Sequence, residues 1–427
     1  MTETRADSAA RHLPAIVVGG GQAGLSMSRQ LKERGIEHLV FEKSGVASAW
    51  KTQRWDSFCL VTPNWQCRLP GFPYAGDDPH GFMGRDEIVA YIEAYARSIE
   101  APLMTGVGVT AVRPRPEGGF TVDTEAGTYR ADAVVMAISG YHAPAIPAFS
   151  AGLPADIAQV HSSAYRNPAQ LPAGAVLVVG SGQSGCQIAE DLHLAGRQVH
   201  LVVGSAPRCP RRYRGRDAVD WLAEMGQYDL SVDDHPLGQD VRRKANHYLT
   251  GRDGGRDIDL RRFARDGMAL HGRLTGIEGG TLRFADDLGK NLDGADAVYV
   301  GIQGAIDRHI AAKDIAAPAE AHYRPVWQPA AAPRTLDCAA AGIGAVVWAT
   351  GFRADFSFVD APVFDDRGLP VHRRGVTAVE GLSFVGLPWL HTWGSGRFSG
   401  IARDTEYLAE RIAERLVPRA VALSLAS

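Results

Sequence analysis

Near its start the sequence contains Ala15–Ile16–Val17–Val18–Gly19–Gly20–Gly21–Gln22–Ala23–Gly24–Leu25. Its apolar half predicts a buried strand, and G-x-G-x-x-G then predicts a tight turn that opens a helix. Gly19 permits the turn, Gly21 lets the backbone approach a pyrophosphate, and Gly24 lets helix and strand pack closely. The start of the helix offers free N–H groups and the positive end of its dipole to phosphates. The stretch predicts a dinucleotide site, and the alternative is a turn that only connects two elements.

An acid in the next strand supports the dinucleotide interpretation. The strand His38–Leu39–Val40–Phe41–Glu42 ends on a carboxylate, followed by Lys43. A carboxylate at this distance from the turn can accept a hydrogen bond from a ribose hydroxyl.

The opening pattern then repeats. The strand Ala175–Val179 leads into Gly180–Ser181–Gly182–Gln183–Ser184–Gly185, which is a second G-x-G-x-x-G. Two such turns suggest two nucleotides bound by two domains.

The second copy lacks the acid. Glu42 lies eighteen residues after Gly24, and the same offset from Gly185 gives Val203, followed by Ser205 and Arg208. A hydroxyl and a guanidinium suit a 2′-phosphate, so this copy favours NADP(H) over NAD(H). The alternative is that the arginines of this segment are solvated surface charges.

Composition excludes several function classes. The chain has 427 residues, 45% of them hydrophobic and 22% charged, with a net charge of −3, which is typical of a folded two-domain protein. No basic excess suggests nucleic acid, and no apolar run reaches the roughly 18 residues that span a bilayer. Five cysteines without a C-x-x-C pair indicate a reducing compartment and argue against a flavin disulfide reductase. The sequence predicts a cytoplasmic protein without a metal site.

These landmarks, in this order, resemble the class B flavoprotein monooxygenases, which include flavin-containing, YUCCA-like, Baeyer–Villiger and N-hydroxylating enzymes. Besides the two glycine turns, the resemblance covers the Trp-rich segment from Trp50 to Tyr74, with its L-P-G-F-P, and the A-T-G motif at 349–351. His161–Arg166 matches the second half of the family fingerprint F-x-G-x-x-x-H-x-x-x-[YF]-[KR]. The first half is missing, since Ala155 and Ile157 stand where Phe and Gly are expected.

The resemblance implies an α/β fold with two Rossmann-like dinucleotide-binding domains, as in a glutathione-reductase-like flavoprotein. Residues 1–13 are predicted to be a disordered tail, 14–150 the first part of the FAD domain and 331–427 its second part. Residues 151–330 are predicted to form the NADPH domain, with a helical insertion at about 206–330. Helices are predicted at Ala218–Met225, Gln239–Leu249, Ala305–Lys313 and from Gly400 to about Leu416.

The resemblance also implies the chemistry. NADPH would reduce FAD, O2 would add at flavin C4a, and the resulting hydroperoxide would oxygenate a small organic substrate at nitrogen, sulfur or a carbonyl. One alternative is a flavin oxidase or dehydrogenase without oxygen insertion, and another is a non-catalytic nucleotide-binding redox protein. The expected partners are the substrate and O2, without nucleic acid or membrane, and a homodimer is left open.

Three residues are candidates for catalysis. Asn64 falls where the family often places an asparagine near the flavin edge, and the alternative is a turn residue after Pro63. His161 and Arg166 are predicted to hold NADP⁺ where the domains meet, and the alternative is a pair of surface loop residues.

The remaining predictions concern binding. Trp389, His391 and Trp393 are predicted to border flavin or substrate, or else to be core aromatics, and the chemistry is expected where residues 50–74 and 387–400 converge. The predicted cofactor-binding residues are Gly19, Gly21, Gln22, Ala23, Gly24, Glu42, Lys43, Trp50, Gly180, Gly182, Gln183, Ser184, Gly185, Ser205, Arg208, Ala349, Thr350 and Gly351.

Overall fold

The computed structural model describes residues 10–330 and 333–424. The helices of this part of the chain are α1 (Gln22–Glu33), α2 (Ser48–Thr52), α3 (Arg85–Ser98), α4 (Gln183–Leu194), α5 (Ala218–Glu224), α6 (Leu260–Arg265), α7 (Leu288–Lys313) and α8 (Ile401–Ser424). Short 3₁₀ helices span Asn64–Gln66, Ala148–Gly152, Pro168–Gln170, Gly238–Arg243 and Arg252–Gly254.

The strands are, in chain order, β1 (Arg11–Val18), β2 (His38–Glu42), β3 (Arg68–Leu69), β4 (Phe72–Pro73), β5 (Leu103–Thr105), β6 (Val109–Pro114), β7 (Phe120–Thr124), β8 (Gly127–Met136), β9 (Ala143–Pro144), β10 (Ala158–His161), β11 (Ala175–Val179), β12 (Val199–Val202), β13 (Arg212–Tyr213), β14 (Arg216–Asp217), β15 (Ala269–His271), β16 (Leu274–Glu278), β17 (Thr281–Phe284), β18 (Thr335–Asp337), β19 (Ile343–Trp348), β20 (Phe352–Arg353) and β21 (Leu382–Phe384).

The first large sheet is built around β1. Its order is β5-β2-β1-β8-β7-β6, and β21 pairs with the end of β8. The strands β5, β2, β1, β8 and β21 run parallel, whereas β6 and β7 form an antiparallel extension of β8. Ala15 and Val17 pack on the side of α1 and α3, while Ile16 and Val18 pack on the opposite side. Since both faces of the strand are covered, β1 is continuously apolar rather than alternating.

The second large sheet has the order β10-β19-β11-β12-β15, and all its strands are parallel. Its central strand, β11, carries the second glycine turn at its carboxyl end. Val176 and Val178 face one core and Leu177 and Val179 face another, so this strand is also buried on both faces. The two glycine turns therefore occupy equivalent places in two equivalent sheets.

Two predicted domain boundaries are wrong. The strand β1 begins at Arg11, so residues 11–13 are not a disordered tail. The exposed, polar side chain of Arg11 breaks the apolar pattern from which the strand was predicted. Residues 1–9 lie outside the described part of the chain. The strand β19 lies between β10 and β11, so residues 343–348 belong to the second sheet and not to the first. Parallel strands that pair in a sheet are joined by long crossover connections, so their order in the sequence does not show which strands are neighbours.

Of the three helices predicted in the insertion, one is confirmed and two differ in the structure. The helix at 218–225 is confirmed as α5, but residues 239–249 contain only the 3₁₀ helix Gly238–Arg243. The helix predicted at 305–313 is the end of α7, which begins at Leu288. Four glycines, at positions 289, 294, 301 and 304, conceal this helix because glycine disfavours helix interiors. Its buried side chains, among them Leu292, Tyr299 and Ile306, stabilise it by tertiary packing.

A buried histidine pair joins two strands of the second sheet. His200 Nδ1 on β12 lies 3.0 Å from His271 Nε2 on β15, with the two rings nearly parallel. The His271 ring also stacks on Phe284 at 4.5 Å between centroids. Burial, followed by the neighbouring His200, lowers the pKa of His271 to about 4. The pair is neutral at physiological pH, and one ring donates to the other.

This pair predicts an acid-sensitive stability. The pKa of His271 is 6.5 in the unfolded chain and about 4 in the folded protein, so between these pH values only the unfolded chain binds the proton. The free energy of unfolding is therefore unaffected by this group above pH 6.5 and decreases as the pH falls below it. We expect the Tm of the wild type to fall between pH 7.5 and pH 5 by roughly 2–5 °C more than that of His271→Gln, measured by calorimetry. His80→Gln, at an exposed position, is the control. Equal pH dependence in all three proteins would contradict the prediction.

Candidate active site

The two glycine turns have the same geometry. Gly19 and Gly180 have φ of +107° and +108°, a region that favours glycine. A Cβ added to Gly24 would lie 1.8 Å from the Gly19 carbonyl oxygen, and one on Gly185 would lie 1.8 Å from that of Gly180. Only glycine at these positions lets each helix approach its strand so closely.

The middle glycine of each turn faces open space. Gly21 and Gly182 precede α1 and α4 with φ of −77° and −70°, and a Cβ at either position would meet nothing within 4 Å. The next three backbone N–H groups of each helix have no intrahelical acceptor. The open space and the free donors form a cradle that fits a pyrophosphate.

The turns differ where the following strand ends. The Glu42 carboxylate accepts hydrogen bonds from the Gly20 N–H at 2.8 Å and the Ser44 N–H at 2.9 Å. Beside the second turn, the Gly204 N–H donates to Ser181 Oγ at 2.9 Å, and Ser205 is exposed. The first turn therefore has a carboxylate beside it, whereas the second has neutral groups. Lys43 is exposed and Ser184 half-buried.

The Trp-rich segment and the segment before α8 do converge, and they meet at Gln22 beside the first turn. Gln22 accepts a hydrogen bond from Trp50 Nε1 and donates one to the Gly396 carbonyl oxygen, each at 3.3 Å. The rings of Trp50 and Phe398 stack with centroids 5.9 Å apart. Ala23, beside Gln22, is buried.

Arg54 is a site residue that the sequence reasoning missed. Its Cζ lies 5.0 Å from the centre of the Trp50 ring and 5.5 Å from that of Phe58. Its guanidinium donates to the Gln53 carbonyl oxygen, forms no ion pair with Asp or Glu among the described residues, and has its pKa lowered by burial. An unneutralised cation beside Trp50 can meet an anion bound at the first turn. No spacing rule singles out this arginine, because its neighbours follow no helical or strand period.

The A-T-G motif connects the second turn to the segment that follows β9. A Cβ on Gly180 would meet the Ala349 carbonyl oxygen at 2.6 Å, so this residue lies directly against the turn. Thr350 Oγ1 donates to the Ala145 carbonyl oxygen at 2.6 Å, and the Ala145 N–H donates to the Gly351 carbonyl oxygen at 3.0 Å. The motif therefore packs against Gly180 and has its own position fixed by hydrogen bonds to Ala145. Gln183, on the first turn of α4, donates to the Leu249 carbonyl oxygen.

The structure gives His161 and Arg166 the contacts of structural residues. His161 is buried, with Nε2 2.9 Å from the Gly351 carbonyl oxygen and Nδ1 2.8 Å from Ser163 Oγ, and burial lowers its pKa. Arg166 donates to the carbonyl oxygens of Ser163, Tyr165 and Thr52. His161 contacts the crossing segment at Gly351 and Arg166 reaches Thr52, and the role of both in holding NADP⁺ stays a prediction.

Asn64 is likewise committed to the protein. Its Nδ2 donates to the Asp78 carbonyl oxygen at 3.0 Å, and its Oδ1 accepts from the Met83 N–H at 2.7 Å. The side chain is buried and fixes the loop at 78–83. These contacts agree with the turn interpretation, but they use only one of the two N–H groups of Nδ2, so the catalytic donor role of Asn64 stays a prediction.

Arg208 does not reach the surface. It is 2% exposed, pairs with Asp296 at 2.8 Å and with Asp259 at 3.6 Å, and lies between the rings of Tyr299 and Tyr323. Two carboxylates and two aromatic faces occupy the guanidinium. The prediction that Arg208 binds a 2′-phosphate is therefore wrong, because an arginine in sequence does not show whether its charge is already neutralised.

The aromatic residues before α8 contact the insertion. Trp393 stacks on Tyr228 with centroids 4.2 Å apart, and Trp389 lies edge-on to His235 at 5.2 Å. Burial lowers the pKa of His391, whose Nδ1 has no hydrogen-bond partner in the part of the chain that the structure describes. The insertion thus covers the segment that also touches the first turn.

Comparison with known proteins agrees with this architecture. The family model of the pyridine nucleotide-disulphide oxidoreductases matches residues 16–219. An uncharacterised CzcO-like oxidoreductase of Geobacillus kaustophilus is 32% identical over 401 residues, which are 93% of this chain and 97% of that protein. Indole-3-pyruvate monooxygenase YUCCA1 of Oryza sativa is 31% identical over 192 residues, 44% of this chain and 47% of the plant protein. A flavin-containing monooxygenase from Stenotrophomonas maltophilia superposes with a TM-score of 0.64 at 18% identity, covering 95% of this chain and 99% of that one.

The fold and the paired turns define a two-domain dinucleotide-binding oxidoreductase related to the flavin monooxygenases, which confirms the predicted fold class. The chain belongs to the CzcO-like oxidoreductases. The match of residues 16–219 to the pyridine nucleotide-disulphide oxidoreductase model implies binding of FAD and NAD(P)H. Within residues 10–330 and 333–424, no helix has the length and apolar character needed to span a bilayer.

The contacts of Arg208 predict a stability effect. Arg208→Ala leaves Asp259 unpaired and Asp296 with fewer partners in a buried place, which should cost about 3–5 kcal/mol. We expect a clear fall in Tm and an unchanged ratio of the KM values for NADPH and NADH. Arg212→Ala, at an exposed neighbouring position, is the control for Tm. An unchanged Tm together with a raised KM for NADPH alone would restore the phosphate-binding role.

Proposed function

We propose that the chain is an FAD- and NADPH-dependent monooxygenase that oxygenates a small organic substrate at nitrogen, sulfur or a carbonyl group. The observation that supports it is the pair of matched glycine turns, of which one has a carboxylate beside it and the other does not. Two such cradles in one chain suit a reaction in which a pyridine nucleotide reduces a flavin.

The first turn fits FAD. The N–H groups at the start of α1 can bind the pyrophosphate in the open space in front of Gly21, and Arg54 adds a positive charge beside Trp50. Both Glu42 oxygens accept from backbone N–H groups and keep further lone pairs for a ribose hydroxyl. These residues would hold the adenosine end of the flavin, and the stacked rings of Trp50 and Phe398 lie beside the same turn.

The second turn fits NADPH. Gly182 leaves the same open space, and the neutral Gly204–Ser181 contact stands in place of a carboxylate. Without an acid beside the ribose, nothing repels a 2′-phosphate, and the exposed Ser205 can donate to it. This favours NADPH over NADH although Arg208 takes no part.

When bound, FAD would accept hydride from NADPH and pass electrons to O2, and the residues of the chain determine which product results. The aromatic side chains of Trp50, Phe58 and Phe398 pack around the first turn and limit the access of water. A dry site favours transfer of oxygen to the substrate over release of hydrogen peroxide.

The cysteines favour oxygen chemistry over disulfide reduction. All five cysteines are free, and none forms a disulfide in the structure. Burial raises the pKa of Cys59 to about 11 and that of Cys67 to about 12, so both thiols are protonated at neutral pH. A disulfide reductase needs a reactive thiolate.

The oxygenase and its oxidase rival are separated by isotope labelling. We expect the purified protein to contain FAD that NADPH reduces under anaerobic conditions. With ¹⁸O2, a panel of amines, thioethers and ketones should give at least one product that carries one labelled oxygen. Reduction of the flavin with release of hydrogen peroxide only, for every compound, would favour the oxidase. A protein that binds NADPH but no FAD would support the non-catalytic alternative.

A matched pair of variants tests which turn holds which nucleotide. Alanine fits the protein at Gly21 and at Gly182, since a Cβ there meets nothing within 4 Å and φ is ordinary. Any loss of binding therefore comes from contact with the ligand. We expect Gly21→Ala to lose most of its FAD, read from flavin absorbance, and Gly182→Ala to keep FAD but bind NADPH at least tenfold more weakly. The reverse pattern would exchange the two assignments.

A further inference from the structure

Arg397 is held in a defined position just before α8. Its Nε donates to the Trp393 carbonyl oxygen at 3.0 Å, and its Nη2 donates to Asn246 Oδ1 at 2.7 Å. Its Cζ lies 3.8 Å from the centre of the Trp393 ring. A guanidinium has five N–H donors, so three are left without a protein acceptor among the described residues.

The charge of Arg397 is not neutralised by the protein. Unlike Arg208, it forms no ion pair with Asp or Glu in the described part of the chain. Burial lowers its pKa, and the groups that oppose this effect are the phenols of Tyr141 and Tyr228. Burial, followed by repulsion from Arg397, also lowers the pKa of His247. A desolvated cation of this kind is costly unless an anion completes the site.

Arg397 lies next in sequence to a residue that contacts the first turn. Its neighbour Gly396 accepts a hydrogen bond from Gln22 at the start of α1. On the other side, Asn246 and Tyr228 belong to the insertion, and Tyr228 stacks on Trp393. Arg397 thus lies between the first glycine turn and residues of the insertion.

We propose that Arg397, fixed by Asn246 and Trp393, binds the carboxylate of a substrate whose planar apolar body lies against Tyr228, since Tyr228 and Arg397 already cover the Trp393 ring. This inference rests on the proposed function, because it names the class of substrate for the same site. A guanidinium matches a carboxylate through two parallel hydrogen bonds. The phosphates of both nucleotides have their own cradles at the glycine turns, so the remaining anion is that of the substrate.

A matched pair of ligands tests the proposal on the FAD-loaded enzyme without NADPH. Phenylacetate and phenylacetamide share the ring and differ in charge. By isothermal titration we expect the wild type to bind phenylacetate at least tenfold more tightly than the amide, which is typical of losing a hydrogen bond to a charged group. In Arg397→Gln this ratio should fall towards one, through weaker binding of the carboxylate alone.

A second variant keeps the proposal testable if Arg397→Gln does not fold. Asn246→Asp retains the guanidinium but supplies a competing carboxylate within hydrogen-bond distance. We expect it to lose the preference for phenylacetate while its FAD content stays that of the wild type. Arg367→Gln, which removes an exposed arginine paired with Asp365, is the control and should keep the preference.

Three results would overturn the inference. The wild type could bind the amide as tightly as the carboxylate, or Asn246→Asp could keep the preference. NADP⁺ could displace phenylacetate competitively, which would assign the guanidinium to the nucleotide. Failure of the proposed function has a different signature, since an oxidase would release hydrogen peroxide and yet retain the preference for phenylacetate in this titration.

Discussion

The architecture depends on one close approach of backbone to backbone, made twice. The Cα of Gly24 lies against the carbonyl of Gly19, and that of Gly185 against Gly180, at separations that exclude any side chain. This contact fixes each helix relative to its strand and aims the free N–H groups at the space in front of the turn. The close contact between the two glycines of each turn therefore determines where a phosphate group can bind in front of the helix and in which direction the N–H groups meet it.

The junction between the two halves explains why the candidate catalytic side chains have other tasks. The chain crosses between the sheets at residues 143–145 and 349–353, and His161 hydrogen-bonds the second crossing from β10. Arg166 reaches across to Thr52. Polar groups at a buried junction need partners, and these two residues supply them. A fingerprint residue can thus support the arrangement of two cofactors without touching either.

Charge compensation separates the arginines of the molecule into two groups. Arg208 and Arg261 share Asp296, so carboxylates of the protein neutralise their charges. Arg54 and Arg397 lie near the first turn without a carboxylate partner among the described residues, so they offer positive charge to ligands. This distinction, more than the number of arginines near a turn, indicates where anions bind.

The sequence by itself determined the two strand–turn–helix units, their order and the difference between Glu42 and Val203. These features depend on residues close together in the chain and on the special conformations of glycine. Only the tertiary structure decided that β19 joins the second sheet, that α7 runs through four glycines, that Asn64 and Arg208 are occupied by the protein, and that Arg54 and Arg397 are not. Those outcomes depend on contacts between residues as far apart as Arg397 and Asn246, and on burial, which no local pattern encodes.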